Sequence, residues 1–104
     1  MKTLTIDVVS DVVCPWCYIG KRRLERALAL LAVQHPDVDP EVNWHTFQLN
    51  PGLSPEGMPR AEYVSNKFGD EATAIYDRVA GVGKEVGIPF AFDKISRQPN
   101  TVVA

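Results

Sequence analysis

The chain holds two cysteines, and both stand in the run Cys14-Pro15-Trp16-Cys17. Their separation is close to one helical turn, so two sulfurs at this spacing meet at a helix start with little distortion of the backbone. Disulfide exchange needs a thiolate, and a cysteine at a helix N-terminus has its pKa lowered to roughly 3.5–7.5. The cause is the cluster of unpaired backbone N–H groups there, together with roughly half a positive charge from the helix. Proline suits the first helical position, where its nitrogen needs no intrahelical partner. The spacing therefore predicts Cys14 at the N-cap as the attacking nucleophile. Cys17, one turn in and more buried, is the resolving thiol that attacks the Cys14 Sγ of a mixed disulfide. Pro15 stiffens the turn and Trp16 lays apolar surface beside the sulfur, so these two are expected to tune the reduction potential.

Other uses of such a pair exist. A Cys-x-x-Cys run is half of many zinc sites, but zinc takes four ligands. The remaining soft candidates are His35 and His45, whose spacing from Cys17 fits no zinc-finger pattern. No metal is expected. Two cysteines buried for packing alone are the other alternative. Against it stands the placement, with a strand running into the motif and a helix running out.

Those elements are read from periodicity. Leu4 to Val9 is rich in β-branched residues and reads as a buried strand, interrupted at Ser10-Asp11. From Pro15 a helix carries Leu24, Ala27, Leu28, Leu31 and Ala32 along one apolar stripe and ends at His35-Pro36-Asp37, because the residue before a proline avoids helical geometry. Val42 to Leu49 reads as a second strand, with Asp39-Pro40 as its lead-in. Strand, helix and strand form a βαβ unit with parallel strands and a right-handed crossover. The fold class is thus α/β. Alternation along the second strand sends Trp44 and Phe47 toward the core, and His45 reads as an ordinary strand residue.

Asn50 to Pro59 is a loop by its prolines and glycines. Arg60 to Phe68 reads as a helix stopped by Gly69. Asp70 is placed to cap a further helix through Val86, with Ile75, Val79, Val82 and Val86 on one face and Gly87 just past its end. Gly81 and Gly83 weaken that helix or mark close packing. Ile88 to Ala104 reads as extended or irregular. Two strands do not close a sheet with a core of its own, and their exposed edges make a homodimer an expectation.

Composition narrows the rest. The 104 residues suit one domain, with 45% hydrophobic and 23% charged residues and a formal net charge of -2. That is an ordinary globular balance, without the basic excess of nucleic-acid readers. No apolar run approaches the ~20 residues of a membrane span. The N-terminus lacks the apolar stretch and small-residue cleavage site of a secretory signal. A cytoplasmic location is expected, where an isolated cysteine pair is chemical rather than structural. The run Lys21-Arg22-Arg23 reads as a solvated helix face.

The run from Ser10 to Gly20, with Leu24-Glu25 behind it, resembles the DsbA-like thioredoxin group that contains FrnE-type proteins and 2-hydroxychromene-2-carboxylate isomerases. Phe47-Gln48-Leu49-Asn50-Pro51, Gly83 to Gly87, Phe90 to Asp93, Ser96-Arg97 and Asn100-Thr101 are similar to later segments of the same group. The resemblance implies a partial thioredoxin-like fold: residues 1–59 form the βαβ unit with the cysteine motif, and residues 60–104 begin a helical insertion. Members of the group continue past the point matched by Ala104, and the cis-proline loop that faces their cysteines lies in that later part. The isomerases and kappa-class glutathione transferases resemble this chain but carry serine where Cys14 stands. Both cysteines therefore favour a thiol–disulfide oxidoreductase acting on a thiol or disulfide, protein or small molecule, with no cofactor beyond its own redox-active pair. A glutathione-dependent isomerase or transferase, or an inactive fragment, is the alternative, with glutathione as its substrate. The resemblance also offers Asn50, at the C-terminal end of the second strand where α/β sheets bind ligands, and Asn100 as substrate-binding residues.

Overall fold

In a computed structural model that describes residues 2–104, β1 runs from Lys2–Ser10 and leads through a short turn into the long helix α1, Pro15–Gln34. The helix starts and ends where its prolines require. Cys14 is the N-cap, in an extended conformation, and Pro15 opens the first turn. His35 closes the last turn by donating its backbone N–H to the Leu31 carbonyl at 2.7 Å. The strand β2, Val38–Thr46, then pairs with β1 in parallel, in a register from Lys2 against Val38 to Ser10 against Thr46.

The second strand therefore lies earlier in the chain than its expected span of 42–49. Pairing with β1 fixes the register, and it draws Asp39-Pro40 into the strand opposite Thr3 and Leu4. Proline is admitted because β2 has β1 as its one partner among the described residues, and an edge strand has amide positions that serve no ladder bond. Beyond Thr46, the Phe47 amide donates to the Ser10 carbonyl at 2.9 Å and the chain leaves the sheet. Trp44 and Phe47 are 48% and 49% exposed, so the inward packing expected of them is absent. Phe47 lies past the end of β2, and at three positions from Trp44 the two would in any case point to opposite faces of a strand, so alternation does not send both inward.

The second half begins with β3, Met58–Pro59, followed by α2, Arg60–Phe68, a single 3-10 turn, and α3, Ala72–Glu85. The helix ends match the glycine positions: Gly69 and Gly87 have φ of 58° and 80°, the left-handed region that costs glycine little. Asp70 does not act as the expected cap. It sits inside the 3-10 turn Gly69–Glu71, and the N-cap of α3 is Glu71, which makes no side-chain cap bond. A second turn at Phe92–Lys94 leads to β4, Arg97–Gln98, which pairs antiparallel with β3. The loop and tail thus form a small ladder that neither segment signals by itself.

The core is a cluster of Ile19 from α1, Val79 from α3 and Ile88 from the tail, with Val82, Val86, Phe90 and Phe92 packed against it. Gly83 is part of this contact. A Cβ there would come within 2.5 Å of the Phe90 ring, so the glycine lets the tail fold back onto α3. Leu24, Leu28 and Leu31 of the α1 stripe are half-buried, while Ala27 and Ala32 are exposed. The described residues have a radius of gyration of 16.7 Å, against about 13 Å for a compact chain of this length. Val9 and Val33 remain 63% and 81% exposed. The α1–α3 side of the molecule carries the packing, and the β1–β2 ribbon stands off from it.

Candidate functional site

The junction of β1 and α1 is held by Asp11, a residue read from the sequence as a strand breaker within the run of family resemblance. It is 1% exposed. Its carboxylate accepts the Val13 amide at 3.1 Å, the Leu49 amide at 2.8 Å and the Thr101 hydroxyl at 2.9 and 3.0 Å from its two oxygens. Its carbonyl accepts the Cys14 amide at 3.1 Å. One side chain thereby ties the approach to the helix, the chain after β2 and the C-terminal tail into a single knot directly before the cysteines. A buried carboxylate is costly unless its lone pairs are satisfied, and here donors reach both oxygens. No composition or spacing signal marks Asp11; its role is visible only once residues 49 and 101 arrive beside it.

From that knot the helix presents its first turn. The Cys17 and Tyr18 amides donate to the Cys14 carbonyl at 3.1 and 3.2 Å, which closes the turn that brings the cysteines together. Both are free thiols, each half-buried. The Cys14 thiol departs from the lowered pKa expected at a helix start. Burial pushes it up from its ordinary value, and the thiol and charge of the neighbouring Cys17 push the same way. The Cys17 and Trp16 amides favour the anion and pull in the opposite sense. Removal of the sulfur from water outweighs the helix-end amides. The run Lys21-Arg22-Arg23 does not relieve this, because Lys21 and Arg22 turn to Glu25 at 2.8 and 3.4 Å.

Cys14, Pro15 and Trp16 border a cavity of about 470 Å3 between the start of α1, helices α2 and α3, and the tail. Its far wall is aromatic. Phe68 meets Tyr76 edge-on, Tyr76 tilts against Phe92, Phe92 stacks on Phe90 at 5.0 Å, and Phe90 meets Tyr18 edge-on at 6.0 Å. Cys17 also borders a second cleft, of about 390 Å3, that it shares with Asp11, Trp44 and His45. His45 is bonded to Asp7 at 3.0 Å, both side chains exposed.

The two asparagines singled out in the sequence part company. Asn50 lines the cavity, and its amide donates to the Tyr63 hydroxyl at 3.2 Å. Asn100 is buried away from the cavity lining. Its amide donates to the Leu53 carbonyl at 2.6 Å, and its side-chain oxygen accepts the Val102 amide at 3.0 Å. Its amide and its side-chain oxygen both help to shape the tail, and it lies outside the cavity lining that holds Asn50.

The model of the DsbA-like thioredoxin domain matches residues 5–104. The chain belongs to this family. The pair of parallel strands around α1 is a partial thioredoxin-like fold. Among its relatives, the Bacillus subtilis (strain 168) protein YwbO, described as uncharacterized, is 31% identical over 98% of this chain and 44% of its own. A crystal structure of a probable DsbA oxidoreductase from Streptomyces coelicolor superposes with a TM-score of 0.71 at 32% identity, covering 84% of this chain and 38% of that one. The DsbA-like domain described here therefore spans less than half the length of these relatives. Among its described residues, no helix is long and apolar enough to cross a membrane.

Proposed function

We propose that this domain performs thiol–disulfide exchange, with Cys14 attacking and Cys17 resolving. The observation that carries the reading is the first turn of α1: Cys14 stands at the N-cap, faces a cavity, receives the Cys17 and Trp16 amides, and has the Cys17 thiol as its hydrogen-bonding neighbour. Membership of the DsbA-like family supports an oxidoreductase-type role. The presence of cysteine at position 14 favours the FrnE-type branch over the serine-bearing isomerases.

In this reading the Cys14 thiolate attacks one sulfur of a substrate disulfide. The substrate S–S bond breaks and the leaving sulfur takes the electron pair. Cys17 then attacks Cys14 Sγ and expels the second substrate sulfur. Two electrons pass from the dithiol to the substrate, and the two cysteine protons end on the released thiols. A cysteine held at a higher pKa has less thiolate at neutral pH, but each thiolate is the stronger nucleophile. Pro15 and Trp16 shape the opening through which substrate arrives, and Asn50, fixed by Tyr63, is the polar group positioned to orient it.

Equilibration in glutathione redox buffers of graded ratio tests this. Intact mass and thiol trapping are expected to show an intramolecular Cys14–Cys17 disulfide that titrates reversibly as a two-electron couple. A chain that takes up glutathione on Cys14 and never closes the internal disulfide would overturn the dithiol mechanism and point to the glutathione-binding alternative.

A further inference from the structure

We propose that the cavity beside Cys14 selects a small anionic substrate, a disulfide or thiol whose apolar body carries at least one carboxylate. The proposal rests on the exchange reaction above and names the class of molecule that it acts on.

The wall of the cavity holds three cations, Arg60, Lys67 and Arg97, and no Asp or Glu side chain. Among the described residues none of the three makes an ion pair; Lys21, Arg22 and His45 account for those that exist. Their surroundings are instead aromatic or backbone. The Arg60 guanidinium lies 4.5 Å from the centre of the Tyr76 ring and 5.2 Å from that of Phe92. Arg97 donates twice to the Glu56 carbonyl, at 3.1 and 3.0 Å. Lys67 Nζ donates to the Tyr63 hydroxyl at 3.1 Å and sits 5.2 Å from the Phe68 ring. Three uncompensated charges in one concavity of an otherwise acidic chain focus a positive potential there.

The details fit a carboxylate. The Tyr63 hydroxyl oxygen accepts from Asn50 and from Lys67, which leaves its own proton to donate. Lys67 and Tyr63 together offer an ammonium and a hydroxyl to one anionic group. The aromatic wall supplies the apolar body of the ligand with flat surface, and a cavity of about 470 Å3 is in the range of small-molecule sites. Cys14 and the three cations line the same cavity, so one ligand can present its carboxylate to the cations and its disulfide to the sulfur.

Two probes of similar shape test the charge: dithiobis(nitrobenzoate), an aromatic disulfide bearing carboxylates, and dithiodipyridine, an uncharged one. Their rates with the reduced protein, each divided by the rate with free cysteine, give a preference ratio. The ratio is expected to exceed one at low salt and to fall as salt is raised. Lys67→Gln is expected to lower it by about two- to fivefold, the scale of one solvent-accessible charge pair, with Lys67→Arg restoring it. Lys21→Gln, on the opposite cleft, should leave it unchanged. A ratio near one, or a ratio that survives both Lys67→Gln and Arg97→Gln, overturns the proposal. The uncharged probe reports Cys14 reactivity alone, so its failure would strike the exchange reaction instead. Binding of nitrobenzoate to a Cys14→Ser variant, followed by amide NMR shifts at Tyr63 and Lys67, is expected and needs no sulfur chemistry. Equal binding of nitrobenzamide would sink the charge argument whatever the thiol does.

Discussion

The Thr101 hydroxyl donates to both carboxylate oxygens of Asp11, at 2.9 and 3.0 Å, across 90 positions of sequence. Both residues are buried. The bond joins the tail to the loop that delivers Cys14. It is the longest-range side-chain link among the described hydrogen bonds, and it makes the tail part of the site's support. Hydrogen bonds to charged groups contribute about 1.5–3 kcal/mol. Thr101→Val, close in shape but without the hydroxyl, is expected to lower unfolding stability by about that amount, read from the urea midpoint. Thr5→Val, on the exposed face of β1, should stay within about 0.5 kcal/mol. Equal effects of the two would show that the Asp11 knot holds nothing.

Two glycines of one helix are expected to respond with opposite sign. At Gly83 an added Cβ meets the Phe90 ring at 2.5 Å and the Ile88 carbonyl at 3.0 Å; at Gly81 nothing lies within 4 Å. Gly83→Ala should destabilise by about 1–3 kcal/mol through overpacking. Gly81→Ala should stabilise by about 0.5–1 kcal/mol, the ordinary helical gain. Thermal or urea unfolding of the pair decides it, and a stabilising Gly83→Ala would mean that the tail does not pack on α3 as described.

The proton on Cys14 sets a pH dependence. Its folded pKa is raised above the ordinary 9.0 by burial first. The native state therefore keeps the proton to higher pH than the unfolded chain. The resulting stability is fully present below the unfolded value and is lost as pH rises through the folded one. Iodoacetamide labelling of Cys14, mapped by peptide mass, should have a midpoint above that of free cysteine. Cys17→Ala removes a neighbour that pushes the same way, so it should move the midpoint down. A midpoint in the acidic range would contradict the dominance of burial.

Much of this was legible along the chain. The run Cys14-Pro15 marked the start of α1, and His35-Pro36 and Gly69 marked helix ends, because proline and glycine act on the backbone locally. Val79 on its helical face was legible for the same reason of periodicity. What escaped depended on partners far away in sequence. The register of β2 came from β1, which pulled Pro40 into a strand. The β3–β4 ladder required residues 58 and 98 to meet. Asp11 and Thr101 stand within segments of family resemblance, but nothing in either segment signals that they bond to each other, and Asn100 donates to Leu53 across 47 positions. The Cys14 pKa was misjudged for a related reason. Spacing reveals the helix-end amides but not how far the folded chain withdraws the sulfur from water.

Trapping the first covalent step tests the division of labour between the cysteines most directly. Reduced Cys17→Ser protein mixed with a small disulfide should accumulate a stable mixed disulfide on Cys14, visible as a mass increase of one substrate half. The natural sequence under the same conditions should pass through that species to an internal disulfide. If Cys17→Ser turns substrate over as fast as the natural sequence, Cys17 is not the resolving thiol; if the adduct forms on Cys17 when Cys14 is replaced and never on Cys14, the sulfur at the head of α1 is not the nucleophile.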